Sequence, residues 1–457
     1  MALILAGLMH FSILTCAAEE AEEIVSIDLE ESIILALKNN HDIEQSAADR
    51  DSAKWSLSQA RRQTGPTLNY ELDATRSGQK SGGQNAVGNS FSHTFGVSMP
   101  IYHGGQLKSQ RDQRRLELNA ADLALENTKQ EIKMQTTSAY YSILRCRDMI
   151  QVRQEEVGTM QQHLDLSMVK YKEGVVAKSD ILASEVALAN AKQRLVTAKG
   201  DYDKAIATLN NIIGLSVGTQ LAIRDELKYV KHNLKLDKCI DYALENRPDY
   251  AAAEYNIKRA RAAIEEQRAG TRPTVDANAS KSAESDRLPE ADNRTWQAGM
   301  VVKWNVFDNG VTTAGVRQMQ AQLRKAISSA RKTKETLELE VRNAYTDLIT
   351  AEDNIKTTKV AVDQASEDYE PAQLRYVEGV GTNLDVMDAQ EKLTEARTNY
   401  AGTLYNYNTA ISTLEKAMGV PVDIDVPMYV ESVESGSKSD DALIESSLHE
   451  AESADDE

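Results

Sequence analysis

The segment YKEGVVAKSDIL at residues 171–182 returns 205 residues later as YVEGVGTNLDVM at residues 376–387. That offset extends well beyond the motif. Ile101-Tyr102-His103-Gly104-Gly105 maps onto Val306-Phe307-Asp308-Asn309-Gly310, Ala139-Tyr140 onto Ala344-Tyr345, and Gly214 onto Gly419. Upstream, LEESIILALKNNHD from Leu29 matches LDKCIDYALENRPD from Leu236, and Pro66-Thr67 matches Pro273-Thr274, now 207 residues apart. The chain is therefore a tandem duplication, with one structural unit written twice. The first copy, residues 19–218, is joined through a linker at 219–235 to the second, residues 236–423. The two extra residues of the first copy fall between Arg76 and Ser90, a Gly-, Ser- and Asn-rich stretch that reads as a hairpin loop.

Each copy carries a seven-residue beat. Ile143, Ile150, Val157, Leu164 and Tyr171 are matched by Leu348, Ile355, Val362, Tyr369 and Tyr376. Beyond the motif, Ile181, Leu188, Leu195, Tyr202 and Leu209 are matched by Val386, Leu393, Tyr400, Tyr407 and Leu414. A strict heptad drifts against the 3.6-residue turn and coils helices left-handedly around a neighbour. The motif is thus the turn between an ascending and a returning helix, with tips near 171–180 and 376–385. Gly105 to Tyr171 predicts one helix of about 67 residues, roughly 100 Å long at 1.5 Å per residue. That length excludes a single globule.

Between the helices the period changes to two. Leu68, Tyr70, Leu72 and Ala74 alternate with Thr67, Asn69, Glu71 and Asp73, and Phe91, Phe95, Val97, Met99 and Ile101 follow. In the second copy Val275, Ala277 and Ala279 alternate with polar residues, as do Trp296, Ala298, Met300, Val302, Trp304 and Val306. Strands are predicted near 66–76, 90–102, 273–283 and 294–307, each long enough to cross an outer membrane when tilted. A half-buried sheet packed on the helices is the ordinary alternative. Against it stand aromatics toward the strand ends, Tyr70, Phe91, Tyr102, Trp296, Trp304 and Phe307, as in a belt at a lipid interface. Four strands leave open edges that lipid cannot satisfy, so such a chain shares its barrel with further copies of itself.

Composition narrows the function. The formal charge of −18 argues against a nucleic-acid partner. The seven histidines show no metal-ligand spacing, and no phosphate loop or nucleophile elbow occurs, so no enzyme and no cofactor are expected. Residues 1–18 form an apolar run ending in small residues and read as a secretory signal, although its start lacks Lys or Arg. Cys16 is an alternative lipidated N-terminus, poorly supported by Ile13-Leu14-Thr15 before it. Cys146 and Cys239 occupy non-equivalent places and read as core thiols. Residues 424–457 form an acidic, Ser-rich tail that reads as disordered.

Two copies of helix, hairpin, long helix, Tyr-x-x-Gly-x-x-x-x-x-Asp turn and return helix resemble the TolC family of outer-membrane efflux proteins, from about Leu29 to Val422. The resemblance implies a mainly α chain with membrane β structure: a homotrimer with a shared twelve-stranded β-barrel in outer-membrane lipid and a periplasmic α-barrel. A small equatorial domain would draw on Ile24 to Asn40, Thr219 to Asn246 and Val420 to Val430. It implies a passive duct for efflux or type I secretion, working with a periplasmic adaptor and an inner-membrane pump. A soluble coiled-coil adaptor or envelope tether is the competing reading, for which the heptads alone would suffice.

The same resemblance assigns residues. The tips around Gly174 and Gly379, with Tyr171 and Tyr376, would dock the adaptor. A gate link would join Tyr376 to Asp180, whereas the second link is in doubt, because Gly381 stands at the arginine position and Ser179 at the threonine. Asp385 and Asp388, three apart on one helix face, would form the constriction ring of the pore; the first copy keeps Asp180 but has Ala183. Crowded carboxylates would raise some of their pKa values and attract cations.

Overall fold

The computed structural model describes residues 25–81, 84–287 and 293–422. The signal, Cys16 and the acidic tail lie outside the described residues.

The chain opens with strand β1 (Val25–Ile27), helix α1 (Leu29–Asn39) and helix α2 (His41–Arg62). A long hairpin follows, β2 (Thr67–Ser81) and β3 (Gln84–His103), then α3 (Gln106–Lys172) and its return helix α4 (Lys178–Ile213). After β4 (Leu221–Ile223) the order repeats: α5 (Leu236–Asn246), α6 (Pro248–Arg268), β5 (Thr274–Ser285), β6 (Asn293–Lys303), α7 (Val311–Glu378) and α8 (Asn383–Met418). Helix α3 has the expected 67 residues. Both long helices start where the chain takes left-handed backbone, at Gly104-Gly105 and at Asn309-Gly310. Their heptad seams carry α7 straight through Pro371, which removes one backbone donor but does not end the helix.

Two corrections concern the hairpins. Residues 76–81 and 84–90 are strand rather than loop, and the ladder runs on from Arg76↔Asn89 to Ser81↔Gln84. A ladder is closed by backbone groups, so polar residues extend it freely where neither face has to be buried. In the second copy β6 stops at Lys303, which leaves Trp304 to Phe307 beyond the last paired residue.

Near the sheet the helices stand side by side in the order α2-α3-α6-α7, and toward the tips in the order α4-α3-α8-α7. The sheet has the matching order β2-β3-β5-β6. All three rows have two open ends. The cores of the two copies are equivalent and lie at the waist. Tyr140, Ile143, Leu144, Leu209 and Ile213 pack with Ile27 and Leu221 in the first, and Leu337, Val341, Leu348, Tyr407 and Leu414 pack with Cys239 in the second. Here β1 pairs in parallel with β4. Segment 224–235 is strapped to both helix pairs. Tyr140 donates to the Asp225 carboxylate at 2.6 Å, Arg147 to the Asp225 carbonyl at 2.8 Å, and Tyr345 to the Leu234 carbonyl at 3.2 Å. Cys146 and Cys239 are buried free thiols.

Candidate functional site: the helix-hairpin tips and the open sheet

At each tip the ascending helix ends on a left-handed glycine, Gly174 with φ 77° and Gly379 with φ 80°. Val175 N–H donates back to the Lys170 carbonyl at 2.9 Å and Val380 N–H to the Arg375 carbonyl at 3.0 Å, the closing bonds of a glycine C-cap. A Cβ added at either glycine would meet nothing within 4 Å, so both tips face open space. The return helix α8 starts in a capping box. Asp385 N–H donates to Thr382 Oγ1 at 3.2 Å, and Thr382 N–H donates to Asp385 Oδ2 at 2.9 Å. The Thr382 backbone N–H and hydroxyl, aided by the nearby Arg375 charge, hold the Asp385 carboxyl below its ordinary range. Asp388 is exposed one turn further on, and Val386 between them is buried.

Beneath the tips lies a polar node that joins all four helices. His163 on α3 bonds Asn383 on α8 through Nε2, and its ring packs 4.9 Å from that of Tyr376 on α7. Asn383 Nδ2 donates to the Asp180 carbonyl at 3.1 Å, which ties in α4. Lys170 donates to the Tyr376 carbonyl and, at 3.1 Å, to that of Val377. It thus caps the C-terminus of α7 with a cation, where the helix dipole favours one. The Tyr376 hydroxyl lies 2.9 Å from Ser167 Oγ. The expected Tyr376–Asp180 bond is therefore not made within one chain: the tyrosine is held by Ser167, and the Asp180 side chain has Ser179 Oγ at 3.5 Å. Gly381 is also tight, because an added Cβ would lie 3.0 Å from Arg375 Cβ. An arginine there would have to displace Arg375.

The node was not legible in the sequence, since His163, Ser167 and Lys170 sit among ordinary heptad residues. Its histidine carries a pH dependence. Burial lowers the His163 pKa, opposed by the Asn383 bond. The groups in contact with it are Asn383 on α8 and the Tyr376 ring on α7; Ser184 and the Asp180 carbonyl on α4 reach it through Asn383, and Lys170 through Tyr376. A histidine whose folded pKa lies below its unfolded value, about 6.5, stabilises the fold fully above that value and loses the contribution as pH falls toward the folded pKa. Protease sensitivity of the tips should accordingly rise below about pH 6.5. In His163→Gln that step should disappear; an unchanged acid profile in this variant would exonerate the histidine.

At the opposite end, the sheet register sorts the side chains. Residues directly opposite share a face, and the rungs Leu68↔Val97↔Ala279↔Ala298 and Tyr70↔Phe95↔Lys281↔Trp296 place most of the apolar residues on one side, together with Lys281, His93 and Arg294. Thr67, Asn69, Glu71, Asn278, Ser280 and Gln297 lie on the other. A bulge at Ile101 puts Tyr102 opposite Val275. Among the described residues no helix packs on either face, and Leu68, Trp296 and Met300 are each more than 70% exposed. The alternative of a sheet packed on helices is excluded for this chain. The aromatic residues are more spread than expected. Tyr70 and Trp296 share one rung, Phe91 lies four residues beyond Phe95, and Trp304 and Phe307 fall outside the ladder. Trp304 Nε1 donates to the Thr271 carbonyl at 3.1 Å.

Among the described residues there is no cluster of His, Cys, Asp or Glu able to hold a metal ion. Outer membrane protein TolC of Escherichia coli K12 is 22% identical over 400 residues, covering 83% of this chain and 80% of TolC. The antibiotic efflux pump outer membrane protein ArpC of Pseudomonas putida is 23% identical over 406 residues, covering 86% of this chain and 82% of ArpC. The CmeC outer membrane channel of Campylobacter jejuni superposes with a TM-score of 0.77 at 17% identity, covering 86% of this chain and 85% of CmeC. The profile described as "Outer membrane efflux protein" matches residues 33–215 and 239–420, one stretch in each copy of the repeat, and with so much of both halves matched the chain belongs to the outer membrane efflux protein family.

Proposed function

We propose that the protein is the outer-membrane duct of a tripartite efflux or type I secretion system, a homotrimer through which substrates leave the periplasm without chemical change. The observation that carries this reading is the sheet, which has one mainly apolar face, one polar face and, among the described residues, no helix on either and two unpaired edges. Such a sheet is stable only with lipid on the apolar face and with its edges closed by other copies. Three chains would close twelve strands, with the polar face lining the lumen. The helix rows, open at the same two ends, would continue the lumen as a tunnel, and the exposed tips would meet a periplasmic adaptor. Asp385 and Asp388 would ring the pore near that end, and the six aromatic residues would lie at the level of the lipid interfaces.

Membrane fractionation separates this reading from a soluble adaptor. The protein should sediment with the outer membrane, require detergent for release and run as a heat-modifiable oligomer. Release by osmotic shock as a monomer would favour the adaptor instead.

The gate is where a single hydroxyl can be tested. Tyr376→Phe removes the partner of a buried serine and should cost about 1 kcal/mol, raising the conductance of the isolated channel. Tyr376→Phe with Ser167→Ala should cost less than Tyr376→Phe alone, since no buried hydroxyl is then orphaned. Equal conductance in wild type and Tyr376→Phe would remove this contact from the gate.

A further inference from the structure

Because the chain is a duplication, contacts across its middle predict contacts across its open edge. Within one chain α3 of the first copy lies against α8 of the second. In a closed ring the same relation recurs between the second copy of one protomer and the first copy of the next, α7 against α4, with residue numbers raised by 205 for first-copy residues and lowered by 205 for second-copy residues.

At the tips this maps His163 onto Asp368 and its partner Asn383 onto Lys178. It maps Lys170, which caps the last carbonyls of α7, onto Arg375, and the receiving Tyr376 onto Tyr171. Both substitutions preserve or sharpen the interaction. A neutral His–Asn bond becomes a carboxylate facing an ammonium, with a shorter side chain on the ascending helix and a longer one on the returning helix. A lysine on backbone carbonyls becomes an arginine. Asp368, Lys178 and Arg375 are exposed in the single chain, and among the described residues none of them makes an ion pair there. The tyrosines show the same mismatch: Tyr376 is 2% exposed and its equivalent Tyr171 is 43% exposed. Equivalent residues in equivalent helices should be buried alike once the second edge is covered.

Resting on the trimeric reading, we propose that the protomers are latched at their tips by Asp368 on Lys178 of the neighbouring protomer. In the same latch Arg375 caps the carbonyl end of the neighbour's α3 at Tyr171. The intrachain seam would thus be neutral and hydrogen-bonded, and the seam between chains ionic. The same operation at the sheet turns the pair Met99↔Ala277 into Trp304 opposite Tyr70 of the next chain, which supplies an independent reporter of assembly.

Two cysteine pairs test this in the full-length protein, using a short bis-thiosulfonate linker: Asp368→Cys with Lys178→Cys at the tips, and Trp304→Cys with Tyr70→Cys at the barrel. Both pairs should yield covalent trimers. Linking at the barrel alone would overturn the tip latch while leaving the trimer standing, and linking at neither would overturn both. Charge exchange gives a second readout in planar bilayers. Asp368→Lys alone should raise the conductance of the closed channel about threefold, the scale of several partly screened ion pairs lost together. Adding Lys178→Asp should bring it back. Failure of the double exchange to restore the closed state would show that the two residues do not face each other.

Discussion

Replacing Asp385 and Asp388 together with asparagine is expected to weaken block of the channel by multivalent cations more than tenfold, about 1.4 kcal/mol or more of lost binding. The two carboxylates are exposed on one face of α8, three residues apart, and Val386 between them is buried in the seam, so they point away from the helix pair. Three chains would bring six such groups into one ring, whose summed field binds a multivalent cation far better than any single carboxylate does. Asparagine is the informative replacement. Asp385 also closes the capping box with Thr382, so alanine would fray the start of α8 and confuse loss of charge with loss of structure. Asparagine keeps an acceptor for the Thr382 N–H and removes only the charge. Bilayer recordings with a multivalent cation added from the tip side check the result. Wild-type block and wild-type selectivity in the double variant would put these aspartates outside the pore and leave Asp385 as a helix cap alone.

Gly174→Trp and Gly379→Trp are each expected to abolish efflux while leaving the trimer assembled. The separation is possible because a side chain at either glycine would project into open space: an added Cβ has no neighbour within 4 Å, and the structural cost is a side chain on left-handed backbone. That cost is about 1–2 kcal/mol, small for an assembly held by long heptad seams and a closed barrel. An adaptor that packs its own helices onto these tips would instead meet a bulky ring at the centre of the contact. Export by cells and trimer content of their membranes should be measured together. Loss of the trimer in the same cells would make the effect one of folding, and full efflux with the trimer intact would place docking elsewhere. By contrast, Gly419 offers no such freedom, because a Cβ there would lie 2.9 Å from Arg247 Cα.

Much of the molecule follows from local rules and is therefore written in the chain itself. The duplication, the 67 residues of α3, the glycine-capped tips and the alternation of the strands depend on period and on backbone conformation. The extent of the first hairpin does not: residues 76–90 look like a loop because they are polar and Gly-rich, yet 76–81 pair with 84–89 because the strands below them have already set the register. The glycine-ended tips and the shared face of Asp385 and Asp388 follow from spacing, and the capping bond between Thr382 and Asp385 is likewise local to one helix start, whereas the Ser167 partner of Tyr376 and the buried His163–Asn383–Asp180 chain emerge only when four helices meet.

Tyr171 and Tyr376 mark the boundary between the two kinds of information. A heptad states which face of a helix must be covered, and it states this identically for both tyrosines. It does not state what covers that face. The fold placed Tyr376 on a seam inside the chain and Tyr171 at its open edge, so one is 2% and the other 43% exposed. The sequence by itself determined two equal helical hairpins, each carrying a stripe that must be buried. Only the tertiary structure decided which stripe the two copies bury between them and which they leave open, because two copies in one chain share a single seam.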